Sequence, residues 1–112
     1  MGFTQHAQDD FTVEVTGPFH CGPNHDSPKQ FRFEVTIEYP DDALDENGFL
    51  LDNLTFKQYF NSLGVTDLSC ELLCKKATEE LHAMTNGRAC ETQVAIWAIP
   101  NAAKVVHKIR SA

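Results

Sequence analysis

At 112 residues, 42% of them hydrophobic, the chain has apolar side chains for one core but not for two, so residues 1–112 are expected to form a single domain. A formal net charge of −7 argues against a surface built to neutralise the phosphates of nucleic acid or of anionic lipid. No run approaches the roughly 20 apolar residues that cross a bilayer, and the start at Met1 has neither the basic nor the long apolar segment of a signal peptide. A cytoplasmic protein with no nucleic-acid or membrane partner is expected.

Residues 11–16 alternate apolar and polar, with Phe11, Val13 and Val15 on one side, until Gly17 and Pro18 break the pattern. That is the period of a half-buried strand with a stop. A second strand is predicted over residues 31–39, where every odd position is apolar and every even one polar. Residues 19–30, between the two, are rich in Gly, Pro, Asn and Asp and read as a loop that holds His20, Cys21 and His25. Pro40 ends the second strand, and Asn47 with Gly48 supplies a turn.

Asp52 or Asn53 can cap a helix over residues 54–63, in which Phe56, Phe60 and Leu63 recur at helical spacing before Gly64. Ser69 can cap a second helix whose apolar stripe is Leu73, Ala77, Leu81 and Met84, and Asn86 with Gly87 stops it. Residues 92–99 and 104–109 are β-rich, and Pro100, Asn101, Ala102 and Ala103 lie between them as a hairpin loop. The predicted class is α+β, in the order β-β-α-α-β-β: an antiparallel sheet with both helices on one face.

The other face would carry Thr12, Glu14 and Thr16 from the first strand and Arg32, Glu34, Thr36 and Glu38 from the second, so it should meet water or a polar cavity. Val94, Ile96 and Trp97 break the alternation, which suggests a central strand or one buried against another subunit, with Trp97 in the core or an interface. Cys21, Cys70, Cys74 and Cys90 form no C-x-x-C pair and are expected as buried thiols.

Two fragments carry a resemblance. Gly48, Phe49, Leu50, Leu51 and Asp52 run into Phe56 and Lys57, and Ser69, Cys70, Glu71, Leu72, Leu73 and Cys74 follow at a helix start. In order and spacing they resemble the 6-pyruvoyl-tetrahydropterin synthase and 6-carboxy-tetrahydropterin synthase family, whose tunnelling fold, or T-fold, has the same order of strands and helices. The likeness spans residues 11–106. It implies sheets joined edge to edge into an oligomeric barrel, and a catalytic zinc held by a histidine on the first strand and a His-Gly-His at the start of the second.

The chain departs from that pattern where the chemistry would lie. Ser27, Pro28 and Lys29 stand at the His-Gly-His positions, and Pro23 stands where the resemblance puts a cysteine nucleophile. Cys21 is the catalytic candidate only if the loop is shifted. The histidine expected before the second helix is missing, and the substrate-binding glutamate of the next strand is replaced near Trp97, Ala98 and Ile99. Of the substrate-binding carboxylates Glu71 alone remains, and a glutamate there also stabilises a helix N-terminus.

The resemblance therefore implies a divergent, noncatalytic T-fold homo-oligomer that binds a pterin- or purine-like heterocycle through Glu71 and has no metal cofactor. An alternative is an active zinc lyase with a site rebuilt from His20, Cys21, His25 and Asp26, together with His6. A third reading is an acidic protein-interaction module.

Overall fold

The computed structural model of the chain describes residues 2–16, 29–99 and 104–111. The loop candidates His20, Cys21 and His25, the residues standing at the His-Gly-His positions and the hairpin loop at 100–103 lie outside these, apart from the backbone of Lys29. In chain order the elements are β1 (Gly2–Val15), β2 (Lys29–Pro40), α1 (Asn53–Asn61), β3 (Val65–Thr66), α2 (Cys70–Met84), β4 (Glu91–Ala98) and β5 (Val105–Arg110). The sheet order is β3-β1-β2-β4-β5, antiparallel throughout except for β3, which runs parallel to β1.

Two features correct the predicted order. First, β1 starts at Gly2, well before residue 11. Residues 2–10 include Gly2, Gln5, Gln8, Asp9 and Asp10, all poor strand formers, yet each pairs in register with β2 from Gly2 opposite Pro40 onward. Pairing with a strongly specified neighbour overrides the local preference. Second, a two-residue strand separates the helices, so the order is β-β-α-β-α-β-β. Gly64 turns at φ +62 after α1, and its carbonyl accepts from Glu14 N at 2.8 Å while Thr66 O accepts from Thr16 N at 2.8 Å. Two residues are too few to show a period.

The helices pack on one face of the sheet, as the alternation requires. Phe11, Val13, Phe31, Phe33, Val35 and Ile37 all point to that face and are buried. From α1, Phe60 stacks on Phe33 with ring centroids 4.1 Å apart and lies 4.9 Å from Phe11. Burying one such ring is worth roughly 1.5–3 kcal/mol, which is what holds a short nine-residue helix to the β1–β2 half.

The other helix, α2, covers β4 and β5 with Leu73, Cys74, Ala77 and Leu81. Asp52 caps α1 by accepting from Leu54 N at 2.9 Å, and Ser69 caps α2 by accepting from Leu72 N at 3.2 Å. Met84 is not part of the buried stripe: the last turn of α2 runs past the core and leaves it 38% exposed. Thr78 is buried instead, its hydroxyl satisfied by donating to Cys74 O at 2.7 Å. The long dimension of the molecule, 46 Å, is about the span of the 14 residues of β1 at ~3.3 Å each.

Candidate functional site

The sheet face away from the helices is a polar array set by the register. Read across β1, β2, β4 and β5, its rows are Thr4, Glu38, Glu91, Arg110; then His6, Thr36, Gln93, Lys108; then Gln8, Glu34, Ala95, Val106. Asp10, Arg32 and Trp97 make the next row. The even positions expected to be polar therefore do share one face.

Opposite charges meet across the strands of this array. Arg32 Nε donates to Asp10 Oδ1 at 2.6 Å and its Nη2 to Oδ2 at 3.3 Å, and this guanidinium holds the Asp10 carboxyl below the usual carboxylate range. Glu34 lies 3.6 Å from Lys104 Nζ and 3.8 Å from His6 Nε2, while Arg110 Nη2 donates to Glu91 at 2.8 Å. Pairs this exposed add little stability, so their effect is on register and wetting. Trp97 is half-buried on this face with Lys104 Nζ 4.5 Å from its ring centroid. It is neither in the core nor bare, because β4 turns Val94 and Ile96 inward and Ala95 and Trp97 to the array.

The sheet ends in two edges. β5 has β4 as its neighbour on one side, and among the described residues none on the other. β1 pairs with β2 along residues 2–13, and on its outer side, among the described residues, β3 meets only Glu14 and Val15. The N–H groups of Glu14 and Thr16 point to that outer side, so those of Thr4, His6, Gln8 and Thr12 do too by strand periodicity. Asp10 N–H is turned to its own neighbour: Asp9 Oδ1 accepts it at 2.8 Å. That bond, with Lys57 3.1 Å from Asp9 Oδ2, keeps the Asp9 carboxyl below its ordinary range. A pocket of about 330 Å³ opens at this edge beneath α1, lined by Ala7, Asp9, Asn53, Phe56 and Lys57 among others.

Glu71 lies at the other edge. It is exposed in the first turn of α2, the position expected for it. The two flanks of α2 can be told apart by their partners. Glu80 Oε1 accepts from Tyr59 OH of α1 at 2.6 Å. On the opposite flank, His82 Nδ1 lies 2.7 Å from Thr92 Oγ1 and its Nε2 lies 2.9 Å from Ser111 Oγ, just beyond β5. Glu71 and His82 are eleven residues apart, hence about 20° apart around the helix axis, which puts Glu71 on the β5 flank.

Beneath Glu71, Cys74 Sγ donates to Val94 O at 3.2 Å and to Val105 O at 3.5 Å, so the helix start sits over the start of β5. Burial pushes this thiol up to about 11. Cys70 is half-buried and Cys90 exposed, which corrects the expectation of uniformly buried thiols.

Within one chain, then, Glu71 and the pocket under α1 stand at opposite sheet edges and are not brought together. Among the described residues no group of three or more His, Cys, Asp or Glu side chains converges as a metal site. Asp9 was not singled out by sequence reasoning, and Lys57 entered only as part of the fragment that carries the resemblance. The signal for Asp9 is the alternation of Thr4, His6, Gln8 and Asp10 with Gln5, Ala7 and Asp9, which is visible once residues 2–10 are accepted as strand. No helix among the described residues is long and apolar enough to cross a membrane.

These features define an α+β protein whose curled sheet carries its helices on one face and a charged array on the other, with both edges, among the described residues, unpaired along most of their length. No family model and no curated protein matches the chain. Among solved structures it is similar to a crystal structure of the archaeosine synthase QueF-Like in the apo form, with a TM-score of 0.70 and 15% sequence identity over 97% of this chain and 95% of that one. The likeness establishes the fold alone, which is a tunnelling fold.

Proposed function

We propose that the chain is a noncatalytic tunnelling-fold protein that closes edge to edge into a homo-oligomeric barrel and binds a pterin- or purine-like heterocycle where two copies meet. The observation that carries this reading is the outer edge of β1, which no other described strand pairs along residues 2–13. An edge of that length, with its N–H groups outward, is a template for another strand. Because β1, β2, β4 and β5 alternate in direction, β5 of a second copy laid beside β1 extends the same antiparallel sheet. A head-to-tail contact of this kind gives a ring when the rotation between copies closes.

In such a ring Glu71, on the β5 flank of one copy, comes beside the pocket under α1 of the next. Its carboxylate would accept the paired N–H groups of a guanine- or pterin-like ring, with Asn53 and Lys57 supplying an amide and a cation nearby. The noncatalytic part of the reading rests on Ser27, Pro28 and Lys29 at the positions of zinc ligands. Lysine does not ligate zinc at neutral pH, and no resident metal is included.

Calorimetric titration with pterins, guanine compounds and archaeosine tests the site. Glu71→Gln keeps the shape but swaps an acceptor for a donor, so affinity should fall by roughly 2 kcal/mol, about thirtyfold. If Glu71 serves only the helix, the variant loses about 0.5 kcal/mol of stability and neither protein binds a heterocycle. Equal affinity in the two proteins likewise removes Glu71 as a recognition residue.

A further inference from the structure

The turn between β2 and α1 holds an aromatic ring in water. Phe49 is 66% exposed and Leu44, close by in the same turn, 39%. One exposed aromatic residue is ordinary. What sets this one apart is how firmly its backbone is built. Asp45 Oδ1 accepts from Asn47 N and Phe49 N at 2.9 Å each, and Asp45 N donates to Phe49 O at 2.9 Å. Gly48 takes φ +86 and donates to Asp45 O at 2.9 Å, a geometry that a side chain would strain. From beyond α2, Arg88 Nη1 donates to Ala43 O at 3.0 Å and Phe49 O at 3.2 Å.

A loop tied at so many points loses little freedom when a partner covers it. The charge around the ring selects the partner. Residues 41–52 contain Asp41, Asp42, Asp45, Glu46 and Asp52 and no lysine or arginine. The Phe49 N–H holds the Asp45 carboxyl below the usual range, so it is ionised at neutral pH. Arg88, which also lies close enough to act on Asp45, is engaged by carbonyls of the loop itself. The turn thus joins an exposed apolar anchor to an acidic stretch of chain, with Asp42 and Glu46 exposed in it, at the C-terminal end of α2, roughly 20 Å along that helix from Glu71.

We propose that this turn docks a basic protein segment, one that lays an apolar side chain against Phe49 and Leu44 and sets lysine or arginine against the acidic stretch. The assignment is independent of the heterocycle site, since it rests on a different end of the molecule.

Fluorescence anisotropy with labelled peptides on the full chain is the test. The probes are an amphipathic peptide of leucine and lysine, the same pattern with glutamate for lysine, and a lysine–serine peptide. Only the leucine–lysine peptide should bind, more weakly as salt rises. Phe49→Ser should weaken it about tenfold or more, and Glu46→Lys should weaken it too, while circular dichroism shows both variants folded. The proposal is overturned if the leucine–lysine peptide fails to bind the parent protein, if the glutamate or serine peptide binds equally, or if Phe49→Ser leaves affinity unchanged. A fall in particle mass by light scattering on Phe49→Ser also overturns it, because the turn would then be a contact between copies.

Discussion

Burial separates the cysteines by reactivity. Cys74 is covered by α2, β4 and β5, and burial pushes its thiol up to about 11, so it stays almost wholly protonated at pH 8. Cys90 stands exposed just before β4. In folded protein at pH 8, iodoacetamide followed by peptide mapping should find Cys90 modified early and Cys74 unmodified until denaturant is added. Labelling of both at one rate would contradict this packing.

At the same scale, a residue's secondary structure was easier to read than its neighbours. Glu71 is legible as a residue of a helix start, because Ser69 is a cap and the stripe of Leu73, Ala77 and Leu81 follows. Which flank it occupies depends on where α1 and β5 pack, and no local pattern records that. Trp97 shows the same limit. An indole reads as core or interface, and its place in the register opposite Arg32 takes it out of the core and onto the charged array, with Lys104 over its ring.

Among the elements, β2 and α2 are the most legible, since each is long and strictly periodic and each has one buried face. β1 is legible only over its C-terminal part, where Phe11, Val13 and Val15 alternate with polar residues. Its first nine residues carry Gln5 and Asp9 toward the helix face near a sheet edge, and are strand because β2 pairs with them. The side-chain contacts there explain how polar residues are tolerated: Gln5 Nε2 donates to Leu51 O at 2.7 Å and Tyr39 OH donates to Gln5 Oε1 at 2.9 Å.

The joint between α1 and the sheet makes a sharper claim. Phe60 is fully buried between Phe33, Phe11 and Tyr59, so Phe60→Ala should cost about 3–5 kcal/mol in urea unfolding. A loss below about 1 kcal/mol would mean that α1 does not rest on β1 and β2 in this way.

For the molecule as a whole, the α+β class and the likeness to the tunnelling fold were readable from two motifs and the order of elements. The parallel β3 was not, and neither was the extent of the bare edge it leaves. That edge is the basis for the proposed assembly, since among the described residues β3 covers β1 at Glu14 and Val15 alone and Asp9 screens one outward N–H, that of Asp10. Gln8→Pro removes another outward N–H and leaves the bonds toward β2 in place.

Light scattering at micromolar concentration is the direct measurement. The parent protein should show a mass several times the 12.5 kDa of one chain, and Gln8→Pro, still folded by circular dichroism, should shift toward that single-chain mass. A parent protein that scatters as 12.5 kDa would contradict the edge-to-edge assembly, and with it the composite site at Glu71.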